Sequence, residues 1–154
     1  MGCDLHLFIE YKIGNIWCNI GHEFNMPRNY WMFGLLADVR NINNLNRHPK
    51  GLPDKISYGT HNDAFIVISK VKSEDTCTIE QAEQWRVEIK DGYAEHPDWH
   101  SHSWLTYEEY REILTDYKEA FNESYDFEYD IVLTIMEKII QRNIETRIVF
   151  WFDN

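Results

Sequence analysis

The strongest constraint on the fold lies near the start of the chain. Leu5, Leu7, Ile9 and Tyr11 alternate with Asp4, His6, Phe8 and Glu10, the period of two that sends successive side chains to opposite faces of a β-strand. Gly14-Asn15 is a hairpin-turn pair, and Ile16 to Ile20 reads as the returning strand. Far along the chain, Arg147-Ile148-Val149-Phe150-Trp151-Phe152 is a second β-rich run, close to the last residue. A strand so placed has to be held in a sheet, because free ends fray. If it pairs beside the first strand, Arg147 or Asp153 shares a sheet face with Asp4 and His6.

Between these runs the signals are mostly helical. Asn29 is a candidate N-cap for a helix from Tyr30 to Arg40 whose apolar residues run almost all the way round, as in a buried helix. Thr78-Ile79-Glu80-Gln81 and Thr106-Tyr107-Glu108-Glu109 are capping boxes. The first predicts a helix to about Lys90, ended by Asp91-Gly92, and the second a helix to about Phe121. Phe127 to Arg142 continues as an amphipathic helix, with Ile131, Ile135 and Ile139 spaced by four and Met136 and Ile140 beside them. Ala64 to Val71 is β-branched and reads as a central strand. Residues 41–62 show no periodicity, and a structureless stretch of about 20 residues in a compact domain is usually functional or mobile. The order predicts one α+β domain spanning 1–154, with a sheet of about four strands packed with about four helices.

Composition narrows the function classes. Aromatic residues make up 15% of the 154 positions, including six Trp, which excludes intrinsic disorder. A net charge of −11 argues against a nucleic-acid polymer as partner, since phosphate neutralisation needs a basic face. The acidity is uneven. Residues 1–73 carry eight Lys and Arg against six Asp and Glu, whereas residues 74–154 carry seven against twenty. A small anionic ligand seated in the first half is therefore compatible with the charge. Cys3, Cys18 and Cys77 are odd in number and widely spaced, as expected of reduced thiols in the cytoplasm. No apolar run approaches the roughly 18 residues of a membrane span, so no membrane partner is expected. Oligomeric state stays open, a homo-oligomer included.

Four islands could carry chemistry. Asp4 and His6, two apart on a strand, leave from one face, a placement suited to metal ligation or to a carboxylate–imidazole pair; a plain solvent face is the alternative. His96-Pro97-Asp98-Trp99-His100-Ser101-His102-Ser103-Trp104 is the densest segment. Here His100 or His102 could act as general acid or base, or complete a divalent-metal site with Asp4 and His6. The bland reading is a polar loop ahead of the helix, its Trp residues packed on the core. Arg28-Asn29-Tyr30 precedes the first predicted helix and Arg40-Asn41 ends it, so Arg28 beside a helix N-terminus would make an anion seat. Asn29 and Arg40 are equally explained as caps. Arg147 opens the last strand. No phosphate-binding Gly-rich loop, G-x-S-x-G or H-E-x-x-H occurs, and Cys3, adjoining Asp4, is a poor nucleophile candidate.

Taken together, Met1-Gly2-Cys3-Asp4-Leu5-His6, Arg28-Asn29-Tyr30, Val39-Arg40-Asn41, Gly51-Leu52-Pro53, His100 to Thr106 and Arg147 to Asp153 resemble a family of small uncharacterised proteins of bacteriophages and bacterial genomes. The likeness covers the chain as short islands in order. It implies a soluble accessory protein expressed in a host cytoplasm, and it implies no particular activity. Asp4-Leu5-His6 also looks like the opening of histidinol-phosphatase-type metal hydrolases, but Phe8 stands where they carry a second His and the chain is too short for their barrel.

Three functions follow as expectations. The first is binding of a small phosphorylated, nucleotide-like ligand, with Arg28, Asn29, Tyr30, Arg40, Asn41 and Arg147 contacting phosphate or base and His100, His102 and Trp104 closing the site; in a phage setting this would sequester a host immune signal. The second is a hydrolase of phosphoesters or N-glycosidic bonds using His100 or His102, with Asp4 and His6 supporting or holding a divalent metal. The third is an acidic protein-binding inhibitor of a basic host factor.

Overall fold

The computed structural model describes residues 2–41 and 47–154, so part of the aperiodic 41–62 stretch lies outside the described residues. The expected hairpin is β1 (Leu5–Ile13) and β2 (Ile16–Asn19). Gly14 at φ +59° takes the first position of the two-residue loop, as a II′-type hairpin requires. A short β3 (Phe24–Asn25) also pairs with β1. The last strand does pair beside the first.

Numbering the remaining elements in chain order gives α1 (Tyr30–Ala37), α2 (Tyr58–Ala64), β4 (Phe65–Ile68), β5 (Thr76–Cys77), α3 (Ile79–Trp85), β6 (Ile89–Lys90), β7 (Tyr93–Glu95), β8 (His100–Thr106), α4 (Tyr107–Phe121), α5 (Phe127–Ile140) and β9 (Thr146–Phe152). The main sheet runs β2-β1-β9-β8, with β3 off β1. β1 and β9 are antiparallel in register from Leu5↔Phe152 to Tyr11↔Thr146. The fold is α+β as predicted, but its strands divide into two sheets. A second sheet, β5-β4-β7-β6, takes in the segment expected to be a central strand of the first.

One face of the main sheet carries Leu5, Leu7, Ile9, Ile148, Phe150 and Phe152 into the principal core against α1, α4 and α5. α1 is buried from Met32 to Ala37, with Tyr30 and Trp31 exposed in its first turn, and Asn29 caps it by accepting from Met32 N at 3.0 Å. It stops at Ala37, short of Arg40, because Asp38 takes a left-handed conformation (φ 62°). In α5 the buried stripe is Tyr129, Val132, Met136 and Ile139, so Ile131 sits on the solvent side at 44% exposure. Similarly α3 ends at Trp85, because Arg86 turns left-handed (φ 58°), and residues expected in its last turn form β6.

The other face is covered as well. Phe8 and Trp151 pack with Ala64, Leu52, Phe65 and Trp99. The covering strap comes from the stretch read as aperiodic. Gly51 N donates to His102 O at 2.8 Å and Lys50 N to Ser103 Oγ at 3.0 Å, which seals the free edge of β8. Among the described residues no helix is long and apolar enough to cross a membrane.

The capping box of α4 is formed in full: Glu109 N donates to Thr106 Oγ1 at 3.2 Å and Thr106 N to Glu109 Oε2 at 2.8 Å. Thr106→Ala is expected to lower stability by about 1 kcal/mol, seen as a lower urea midpoint at unchanged slope.

Candidate functional site

The β1–β9 register brings residues from near both ends of the sequence to one end of the main sheet. Asp4 N donates to Asp153 Oδ1 at 3.0 Å, and Asp153 N donates back to Asp4 O at 3.2 Å. The other Asp153 oxygen, Oδ2, lies 3.0 Å from His6 Nε2, while Glu23 Oε1 lies 2.8 Å from His6 Nδ1. Burial alone would push the His6 imidazole toward its neutral form, but the two carboxylates outweigh it and its pKa is raised. His6 thus offers both nitrogens to carboxylates. Arg28 forks onto Asp4 through Nε and through Nη2, the latter at 2.7 Å from Oδ2, and this hydrogen bonding holds the Asp4 carboxyl below its usual range. The pair is half exposed on both sides.

Beside this cluster stands an aromatic stack. Trp151, fully buried, lies with its ring 5.7 Å from His6, 5.3 Å from Phe8 and 5.4 Å from Trp99. His102 stacks on it from β8, 5.7 Å between centroids. Burial, with His100 and His6 as like-charged neighbours, lowers the His102 pKa to about 4. His100 sits across a register shift in β8, with Ser101 at φ 54° between the two histidines; its Nδ1 is 2.9 Å from Ser101 Oγ and its ring is 6.2 Å from Phe152. Among the described residues, His100 Nε2, His102 Nε2 and Trp151 Nε1 are buried with no hydrogen-bond partner. Two of these unmatched nitrogens, on His102 and Trp151, belong to one aromatic stack, which is unusual, since nearly all buried polar atoms are paired.

From His100 onward the densest sequence segment is therefore a bulged strand, while residues 96–99 form a turn ahead of it. The sheet end gathers Asp4, His6, Arg28, His100 and His102, together with Asp153 and Glu23. Arg40 is drawn toward the same end. It lies near the buried Cys3, whose thiol is pushed up by burial against the pull of that guanidinium, and its cation is 5.5 Å from the Tyr30 ring.

Other expected members stand elsewhere. Arg147 shares the face of His6 but faces Glu10 at the opposite end of the strands, where the two form a buried pair (Nη2–Oε1 2.7 Å). Trp104 lies there too, under Lys50 Nζ at 3.8 Å. Asn29 is occupied by capping α1 and by donating to Tyr117 Oη and Asp126 Oδ2, each at 3.1 Å. Tyr30 packs edge-on against Phe33, and Asn41 donates to Asp38. Among the described residues no group of three His, Cys, Asp or Glu is placed to hold an ion. His6 has given its nitrogens to Asp153 and Glu23, and Asp4 its oxygens to Arg28.

Glu23 had no sequence signal, because it lies outside any periodic element and reaches His6 only through the β3–β1 pairing. Trp99 and Trp151 were visible as residues but not as a stack. Comparison of the chain with known protein families, curated proteins and solved structures gives no match.

Proposed function

We propose that this protein binds a small phosphorylated, nucleotide-like ligand at the end of the main sheet and releases it unchanged. The observation that carries this reading is the pair of unmatched nitrogens on His102 and Trp151 beside stacked indoles, with Arg28 exposed at the rim. A nucleobase has both a π-face for the indoles and hydrogen-bonding edges for buried nitrogens, and a phosphate suits a guanidinium fork. Arg28 can leave Asp4 at little cost, because exposed ion pairs contribute little.

The same geometry weighs against turnover. An imidazole held near pKa 4 is a weak base at neutral pH, and His6 has no nitrogen left for a substrate proton. In the phage setting that the sequence resemblance implies, tight binding without reaction would withdraw a host signalling nucleotide.

Incubating the protein with a nucleotide panel, then denaturing it and chromatographing the released ligand, tests the proposal. Intact nucleotide is the expected result, and Arg28→Ala should weaken nucleotide binding about tenfold, the scale of one charged hydrogen bond, while leaving the matching nucleoside unaffected. New products would replace this reading with the hydrolase. Absence of binding across the panel would leave the acidic inhibitor of a host protein.

A further inference from the structure

A cavity of about 480 Å³ opens between α2, β4, the 72–76 segment, α3 and the turn before β8. Its volume falls in the small-molecule range. Phe65, Trp85 and Trp99 contribute aromatic wall, and three carboxylates, Asp63, Glu74 and Asp75, face Lys72 as the opposing cation among the lining residues. Trp85 is 37% exposed, and the Trp99 ring stacks with His96, itself a lining residue, at 4.7 Å. None of the three carboxylates makes a hydrogen bond or ion pair among the described residues. Burial and the nearby Glu23 raise the Asp63 pKa against the pull of His22 and His6, so a cation placed beside it would relieve an existing cost.

These walls select one kind of ligand. An anion meets three carboxylates and one ammonium, and is repelled. A compact metal ion or a bare ammonium would have to give up strong hydration to sit against indole rings. A cation whose charge is spread under methyl groups gives up little hydration and gains both the indole faces and the carboxylates. We propose that this cavity binds a small alkylated ammonium compound. The cavity adjoins the sheet end, since Trp99 lies 5.6 Å from the His6 ring and Asp63 is within electrostatic reach of Glu23 and His6, but apart from Trp99 its lining residues are different and the proposal does not depend on nucleotide binding.

The test compares choline with 3,3-dimethylbutan-1-ol, its uncharged carbon isostere, titrated at constant ionic strength and followed by tryptophan fluorescence and by ligand-observed NMR. Choline is expected to bind about tenfold more tightly than the isostere, within the range of cation–π attraction at partly desolvated sites. Asp63→Asn should weaken choline several-fold and leave the isostere unchanged, whereas Trp85→Leu should weaken both. Asp63 and Trp85 are surface-accessible, and circular dichroism of each variant verifies folding. Equal affinity for choline and its isostere, no binding of choline, or choline affinity indifferent to both substitutions would each overturn the proposal.

Discussion

Replacing Arg147 with leucine should cost about 3–5 kcal/mol of folding free energy, the penalty for stranding a buried charge. Glu10 is fully buried and spends every polar contact locally. Its Oε1 accepts from Arg147 Nε at 2.9 Å and Nη2 at 2.7 Å. Its Oε2 accepts from Ser57 N at 2.6 Å and Thr60 Oγ1 at 2.9 Å. Arg147 in turn donates to Lys55 O and lies 3.7 Å from the Trp17 ring. The pair thus fastens the 55–60 segment, and with it α2, onto the polar-lined half of the sheet face. With Arg147→Leu the carboxylate keeps its two other donors but loses the cation it pairs with. Glu10→Gln added to Arg147→Leu should recover part of the loss, because an amide oxygen still accepts from Ser57 and Thr60 without carrying charge. Urea unfolding of the single and double variants measures this coupling. Limited proteolysis should show cleavage near Lys55 in the single variant. A loss below about 1 kcal/mol would mean the pair is no stronger than a surface ion pair.

That pair also shows where the sequence stops being readable. Local signals were accurate: Asn29, Thr78 and Thr106 all cap the helices they were expected to cap, because a cap is decided within four residues. The hairpin around Gly14 and the strand ending at Phe152 were legible from period and composition. The fate of the Asp4–His6–Phe8–Glu10 face was not. Alternation says that two faces differ, but not that the second will be buried under a strap contributed some fifty residues later. Only the antiparallel register opposes Glu10 to Arg147 and His6 to Trp151, and no local pattern states a register between strands so far apart. His100 to Thr106 failed for a different reason. Its buried residues, Ser103 and Leu105, do alternate, but the histidines and the bulge at Ser101 obscure the period upstream. For the site, residue types were legible and convergence was partial: Asp4, His6, Arg28, His100 and His102 meet, while Arg147 and Trp104 are drawn to the far end of the strands by Glu10 and Lys50.

Mild acid should destabilise this protein through His102 before its carboxylates titrate. The folded protein holds that imidazole at a pKa of about 4, whereas in the unfolded chain it titrates near 6.5, the ordinary value for a solvated imidazole. Above pH 6.5 both states carry it neutral and its contribution is constant. As pH falls from 6.5 toward 4 only the unfolded chain takes up the proton, so stability declines, by about 3 kcal/mol if the whole interval is traversed. His6 has the opposite sign. Its raised pKa gives a contribution that is complete below 6.5 and is lost as pH rises through the folded value, so it cannot account for a decline in acid. Urea midpoints at pH 7, 6, 5 and 4.5 should therefore fall steeply for the wild type and much less for His102→Phe, which keeps a ring on Trp151 but cannot protonate. Equal declines would show that the folded protein already admits the proton at His102. The same titration bears on the ligand. A phosphate accepting a hydrogen bond from His102 Nε2 would favour the protonated ring, raise its folded pKa and flatten the acid decline. A ligand that donates to Nε2 would favour the neutral ring and steepen it.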